Sequence, residues 1–409
     1  MEKLRVFEAF AGVGSQRMAL RNLGIDHEVV AIAEIDKFAL KSYEAIHGDC
    51  PNLGDISKLP IDEIPDHDLF TYSFPCQDIS IAGNMNGFSE GSGTRSSLLW
   101  ECRRVIEGKQ PKYLLLENVK NLVGKKNRED FEKWLDWLSS KGYTNHWQIL
   151  NAKDYIPQNR ERVFVVSILG DENYDFPIPE PNTFKLKDLL ESDVDEKYFL
   201  SEELQSRFIY KEQGENVIGL INKEGWTDQL KRVYKIDSIS PTLSTMQGGH
   251  REPKILVEGN LNIPQWIEQS RRIYNSEGLC PTIPARAGGM DITPKILIKN
   301  ATKQGYLEAT NGDGIDLNYP DSETRRGRVQ TQRSHTLTTS GEYGVLCGYR
   351  IRKLMPNECW RLMGFTDEDF AKAKASGVSD SQLYKQAGNS IVVPVLEAIF
   401  RNLFLKEAK

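Results

Sequence analysis

Phe10-Ala11-Gly12-Val13-Gly14-Ser15 lies between an apolar run, Leu4 to Phe7, and a helical pattern, Gln16 to Leu23. Glycines at a strand-to-helix turn let the backbone bend tightly and approach a ligand closely. The third glycine of a dinucleotide fingerprint is missing, because Arg17 stands in its place. A pyrophosphate cradle is therefore poorly supported, and a nucleoside-type ligand without phosphates fits better. Glu34 follows the next apolar run, Val29 to Ala33, where a carboxylate can accept hydrogen bonds from ribose hydroxyls. Asp55, in Gly54-Asp55-Ile56, can accept from an adenine amino group, with Ile56 and Phe10 enclosing the ring.

The pattern continues outward from this turn. Helical spacing from Phe38 to Ile46 follows the second run. Further runs are Leu69 to Ser73, Tyr113 to Glu117 with a helix over Phe131 to Leu138, and Arg162 to Ile168. Such alternation predicts an α/β fold with a doubly wound, mostly parallel sheet, ligands binding at the carboxyl ends of the strands. Near residue 180 prolines cluster (Pro177, Pro179, Pro181) and the alternation is lost, which predicts a domain boundary. The expected organisation is a catalytic and cofactor-binding domain over 1–180, a smaller β-rich recognition domain over 181–383, and a C-terminal helix over 384–409 packing back on the first. In that helix Asn389 or Ser390 is the expected cap, with Pro394 near the first turn.

The second region holds a tandem duplication, about 217–257 and 257–298. Trp226, Arg232-Val233-Tyr234, Ser240-Pro241-Thr242-Leu243, Gly248-Gly249 and Lys254-Ile255-Leu256 reappear as Trp266, Arg272-Ile273-Tyr274, Cys280-Pro281-Thr282-Ile283, Gly288-Gly289 and Lys295-Ile296-Leu297. Ser334-His335-Thr336-Leu337 is a looser third echo. So few copies indicate a β-rich unit copied within a recognition lobe, not a solenoid.

At 409 residues, with 39% hydrophobic and 27% charged residues, the chain reads as a soluble globular protein, with no apolar run expected to span a membrane. Its N-terminus runs into a strand pattern without a signal-peptide core, so a cytoplasmic location is expected. Six scattered cysteines without C-x-x-C pairs or Cys/His clusters predict reduced thiols and no metal. A net charge of −6 argues against indiscriminate coating of nucleic acid, but Arg325, Arg326, Arg328 and Arg333 form a local basic run.

Four further motifs carry chemistry: Ser73-Phe74-Pro75-Cys76-Gln77, Glu117-Asn118-Val119, Gln158-Asn159-Arg160-Glu161-Arg162 and Gly388-Asn389-Ser390. Together with the glycine turn, in this order, they resemble the DNA (cytosine-5)-methyltransferase family of bacterial or phage type. The resemblance covers residues 1–170 and roughly 326–400 and leaves the intervening lobe unspecified. It implies a Rossmann-like fold binding S-adenosylmethionine (product S-adenosylhomocysteine) through Phe10, Gly12, Gly14, Glu34, Ile35, Asp55, Ile56, Pro75, Asn389 and Ser390. It also implies Cys76 as the nucleophile toward cytosine C6. Charge developing on the ring then requires an acid aimed at N3, for which Glu117 is the candidate if burial raises its pKa, and a cation near O2, from Arg160 or Arg162. No dedicated base for the C5 proton is evident; a water near Asn118 or Pro75 is the expectation.

The target base must be flipped from the duplex, and the loop from Gln77 to Ser97 is the natural lid, with Gln77 and Ser80 against DNA. Arg251 and Arg286, beside the Gly-Gly turns, are expected to read DNA, joined by Arg328 and Thr336. Thr336 is preferred over its counterparts because Arg352 to Phe365 follows the third copy directly. The expected partner is double-stranded DNA, the expected state a monomer, with a separately acting restriction endonuclease as a further partner. The alternatives are the same chemistry on tRNA, whose Cys-Phe-Thr signature is absent, and an inactive DNA-binding homologue.

Overall fold

The computed structural model describes residues 3–75, 98–179, 182–201, 208–246, 250–257, 296–299, 306–309, 314–316, 329–330, 343–345 and 350–405. Cys76, Gln77, Ser80, Arg286, Arg328 and Thr336 lie outside them, as does most of the second repeat copy. The chain divides into two compact units: Met1–Phe184 with Pro241–Gly249 and Pro356–Lys409, and Lys185–Ser240 with His250–Met355.

The first unit is built on six strands: β1 (Leu4–Ala9), β2 (His27–Ala33), β3 (Leu69–Tyr72), β4 (Tyr113–Val119), β5 (Tyr143–Asn151) and β6 (Glu161–Leu169). Their spatial order is β2-β1-β3-β4-β6-β5. The first four pair in parallel, and β6 is antiparallel to both β4 and β5. Leu69, Phe70, Thr71 and Tyr72 are all buried, as a parallel strand covered on both faces requires. One face packs Phe7, Phe70, Tyr72, Leu114, Leu116 and Val165 against α3 (Leu99–Lys109) and α4 (Arg128–Ser140). Phe7, Phe70 and Tyr72 stack at centroid spacings of 5.4 and 5.0 Å, and Trp134 meets Tyr72 edge-on at 6.1 Å. Burying each such ring contributes about 1.5–3 kcal/mol. Around the sheet also lie α1 (Ser15–Asn22) and α2 (Lys37–His47), the latter capped by the Asp36 carboxylate accepting from the Phe38 and Ala39 amides.

Strand order reverses between β1 and β3, and ligands bind at such a switch point in an open α/β sheet. Both Phe10–Gly14 and Ser73–Pro75 leave the sheet there. Of the sheet strands and the helices α1 to α4, α3 and β5 went unpredicted. In β5, Tyr-Thr-Asn-His-Trp-Gln-Ile-Leu-Asn, polar and apolar residues mix without a clean period.

The division differs from expectation after residue 355. Residues 356–383 belong to the first unit, not to a recognition domain ending at 383. Trp360, Leu362 and Met363 are fully buried there, around α5 (Pro356–Arg361), and the Gln158 amide donates to the Leu362 carbonyl at 2.7 Å. On α6 (Asp367–Ala375), Asp369 accepts two hydrogen bonds from Arg21, at 2.9 and 2.7 Å. The C-terminal helix is in fact a pair, α7 (Asp380–Asn389) and α8 (Val393–Phe400). Neither Asn389 nor Ser390 caps α8: Val392 holds that position, and Ser390 Oγ donates back to the Gln386 carbonyl at 2.7 Å. Contrary to expectation, Asp380–Leu405 is long and apolar enough to cross a bilayer by length and composition. It breaks between α7 and α8, and Leu383, Val393, Leu396, Ile399 and Phe400 are fully buried, as in a core helix pair.

The second unit is β-rich. Its five-stranded sheet comprises β7 (Phe208–Gln213), β8 (Val217–Ile221), β9 (Arg232–Tyr234), β10 (Lys254–Val257) and, last in the chain, Arg350–Lys353, in the order Arg350–Lys353, β10, β9, β8, β7. The first repeat copy supplies β9 and β10, which pair in parallel through Lys254↔Val233 and Ile255↔Tyr234. Ile296–Lys299 with Tyr306–Ala309, and Gly314–Asp316 between Val329–Gln330 and Tyr343–Val345, form two smaller antiparallel sheets.

Candidate active site

At the end of β1 the chain turns through left-handed backbone at Phe10 (φ 56°), Gly12 (φ 58°) and Gly14 (φ 82°). The Phe10 amide bonds the Ala33 carbonyl at 2.8 Å, tying this turn to the end of β2. From β2, Glu34 accepts from the Gly12 amide at 2.8 Å and the Asp36 amide at 2.7 Å. Burial raises its pKa despite those bonds. A Cβ on Gly12 would meet nothing within 4 Å, so the turn is open on that side. Ile35 is 76% exposed beside it. Asp55 accepts from the Ser57 amide and hydroxyl, which hold its pKa below the usual range. Ile56 is buried in the core, with Phe10 packed against the same cluster. Asn389 is exposed and Ser390 buried at the end of α7.

Glu117, on β4, is buried, and burial raises its pKa against the opposing pull of Arg162, Arg160 and a Ser73 hydrogen bond. Arg162, on the paired strand β6, places Nε 3.1 Å from Glu117 Oε1, both side chains being largely shielded. The Asn118 amide donates to the Phe74 carbonyl at 3.0 Å, holding the backbone just before Pro75 and Cys76. A protonatable acid, a cation and the strand end that leads to the thiol thus converge on the carboxyl ends of β3 and β4.

Arg160 does something different. Its guanidinium donates to the carbonyls of Leu243 (3.1 Å), Gly388 (2.9 Å) and Ser390 (2.9 Å). These bonds join the start of β6 to the Gly388-Asn389-Ser390 turn and to the Pro241–Gly249 segment of the same unit. Arg162 bonds Glu117 directly, and the Arg160 charge also draws on the same carboxyl. Thr242 Oγ1 donates to the Asn159 carbonyl at 2.5 Å, and the Leu243 amide lies 3.5 Å from Gln158 Oε1. The first repeat copy is thus seated on the Gln158–Arg162 motif through Thr242; the third copy and Thr336 lie outside the described residues. Gly388 is explained by the same contact: a Cβ there would overlap the Ser244 carbonyl and stand 2.8 Å from the Thr245 amide nitrogen. Asn151, also missed, accepts from the Arg160 amide at 3.0 Å and bonds Asn159 at 2.8 Å.

In the second unit Arg251 is exposed. Its turn, with His250 at φ 60°, is held by Lys254, whose buried ammonium donates to the His250 and Glu252 carbonyls and lies 5.0 Å from the Trp226 ring centroid. Burial pushes the Lys254 pKa down to about 8. Among the described residues no group of His, Cys, Asp and Glu side chains could hold a metal ion.

A family model described as C-5 cytosine-specific DNA methylase matches residues 4–405. The chain is 34% identical to "Orphan methyltransferase M.SPBetaI" of Bacillus phage SPbeta, covering 98% of each. It is 35% identical to "Type II methyltransferase M2.ScrFI" of Lactococcus lactis subsp. cremoris, covering 98% of this chain and 99% of that protein. Among solved structures, S. pombe Dnmt2 methyltransferase superposes with a TM-score of 0.60 at 19% identity, covering 98% of this chain and 99% of that one. Entamoeba histolytica methyltransferase EhMeth superposes with a TM-score of 0.62 at 16% identity over 100% of both chains. At these identities the two structures speak for the fold.

Proposed function

Since this chain belongs to the C-5 cytosine-specific DNA methylase family and is a DNA cytosine-5 methyltransferase, we propose that it methylates a flipped-out cytosine within a specific duplex sequence, using S-adenosylmethionine and a covalent bond from Cys76. The observation that carries this reading is the buried Glu117, its pKa raised, beside Arg162 at the mouth of β3 and β4. Ring addition at C6 needs an acid that can give a proton to N3, and burial shifts the Glu117 carboxyl in that direction. The Cys76 thiolate adds to C6 while Glu117 gives its proton to N3, so that C5 gains nucleophilic character. Arg162 faces the charge that develops near O2. After methylation a base takes the C5 proton, the C6–S bond breaks to return the thiolate, and N3 gives its proton back to Glu117.

The open side of the Gly12 turn, the buried Glu34 carboxylate and the exposed Ile35 fit a nucleoside that carries no phosphate. Phe10, Gly12, Gly14, Glu34, Ile35, Asp55, Pro75 and Asn389 would hold it, with Ile56 and Ser390 supporting from beneath. The cofactor, when bound, supplies an electrophilic methyl group. We further infer a monomer acting on double-stranded DNA in restriction-modification or phage DNA protection. A tRNA substrate and an inactive homologue are not favoured by a DNA-methylase match over nearly the whole chain. Incubation with DNA containing 5-fluorocytosine and cofactor tests the mechanism: wild-type protein should form a denaturant-stable adduct, and Cys76→Ser should form none while still binding S-adenosylhomocysteine. A wild-type protein that methylates ordinary DNA but leaves no adduct would refute the covalent step.

A further inference from the structure

Behind the glycine turn lies a set of polar groups that the reaction above does not use. Glu8, fully buried on β1, accepts from Tyr43 Oη at 2.8 Å through Oε2, while its Oε1 has no partner among the described residues. Arg17, on α1, reaches Tyr43 Oη at 3.4 Å and the His47 carbonyl at 3.2 Å, and lies 5.7 Å from the Tyr43 ring centroid. His47 Nε2 stands 3.0 Å from the Val13 carbonyl, so Nε2 must be the donor. A Cβ on Gly14 would come within 2.5 Å of His47 Nε2 and 2.7 Å of the Tyr43 ring, so the turn rests directly on these two rings. Glu34 grips the same turn from β2, through the Gly12 amide.

The geometry points to Glu8 as a positioning residue for the cofactor turn, whose ionised form, acting through Tyr43, Arg17 and His47, tightens binding of the sulfonium cofactor. This rests on the S-adenosylmethionine reading above. Ionised Glu8 is the stronger acceptor for Tyr43 and draws Arg17 inward, which steadies α2 under Val13 and Gly14. A cationic ligand above the turn adds to the same preference. The groups that act on Glu8 are Tyr43 on α2, Arg17 on α1 and Cys50 beyond α2, with His47 joined to the set through Arg17 and the Tyr43 ring. Its register neighbours Ile32 on β2 and Thr71 on β3 carry no charge. Burial places Glu8 at a pKa of about 7, His47 at about 3 and Cys50 at about 11, and pushes Tyr43 well above its usual value. Of Glu8, Tyr43, His47 and Cys50, Glu8 is the group whose pKa falls between 6 and 8.

The test is calorimetric titration of full-length wild type, Glu8→Gln and Tyr43→Phe with S-adenosylmethionine and S-adenosylhomocysteine from pH 6 to 8.5. Wild-type affinity should rise as pH passes through 7, by about tenfold for each unit that bound ligand lowers the Glu8 pKa. Glu8→Gln should stay near the wild-type low-pH affinity throughout. Tyr43→Phe removes a hydrogen bond that lowers the Glu8 pKa, so its midpoint should move upward. Comparing proteins cancels titration of the ligand's own amino group. Parallel wild-type and Glu8→Gln curves, or an unmoved Tyr43→Phe midpoint, overturn the proposal and leave the cofactor assignment standing. Failure of wild type to bind either ligand at any pH overturns both. Should Glu8→Gln not fold, the Tyr43→Phe midpoint decides.

Discussion

Replacing Gly388 by alanine sets two rules against each other. Gly388 lies inside α7 without positive φ, so helix propensity alone predicts that alanine stabilises by about 1 kcal/mol. The contact with the Pro241–Gly249 segment predicts the opposite. The new methyl would overlap the Ser244 carbonyl, a backbone group that no rotamer change can move aside. Overpacking of this kind costs about 1–3 kcal/mol. Displacing the segment also strains the bond from Arg160 to the Leu243 carbonyl, and losing a hydrogen bond to a charged group costs about 1.5–3 kcal/mol. After subtracting the propensity gain, the net loss is about 1.5–5 kcal/mol. For a domain of this size each kcal/mol lowers Tm by about 2–4 °C, so a drop of about 3–20 °C is expected by circular dichroism or calorimetry. An unchanged or raised Tm would refute the packing of Ser244 on α7.

Glu117→Gln should slow single-turnover methylation by about 10²–10⁴-fold with little change in DNA affinity. Because burial raises the Glu117 pKa and the protonated form is the acid, the wild-type rate should fall as pH rises through that pKa, and the glutamine variant should lack this limb. Burial pushes Asp369 up, but Arg21 and Thr366 outweigh it and hold the carboxyl below its usual value. Its stabilising effect is therefore present above the unfolded pKa and lost as pH falls through the folded one. Asp369→Asn should cost about 1–3 kcal/mol in urea unfolding at pH 7, discounted for the half-exposed Arg21, with the difference shrinking toward pH 3. Arg251→Ala should relax specificity at one base pair by about 1–3 kcal/mol in a methylation-site sequencing assay; uniform weakening on all sequences would make Arg251 a phosphate contact.

Much of the first unit was legible because its strands are buried on both faces and read as unbroken apolar runs, as in Leu69 to Tyr72. The short motifs were legible because each follows such a run. What could not be read was which atoms those motifs meet. Arg160 and Arg162 are two residues apart and looked interchangeable; pairing of β6 with β4 sets Arg162 against Glu117, while Arg160 grips three carbonyls from distant parts of the chain. That Thr242 reaches the Asn159 carbonyl was likewise a matter of long-range docking, to which local pattern is blind. Glu8 was invisible for another reason: an acid inside an apolar strand looks like an interruption until Tyr43 and Arg17 are seen beside it.

The excursion of Pro241–Gly249 constrains how such a protein can be rebuilt. A graft cut at Lys185 and Met355, intended to carry off the second unit alone, would also remove Thr242, Leu243 and Ser244, which complete the surroundings of Arg160 and Gly388. Exchange of specificity by recombination should therefore succeed when the breakpoints spare that segment or when the donor brings an equivalent Pro-Thr-Leu stretch. Chimeras that ignore it should lose solubility before they lose sequence preference.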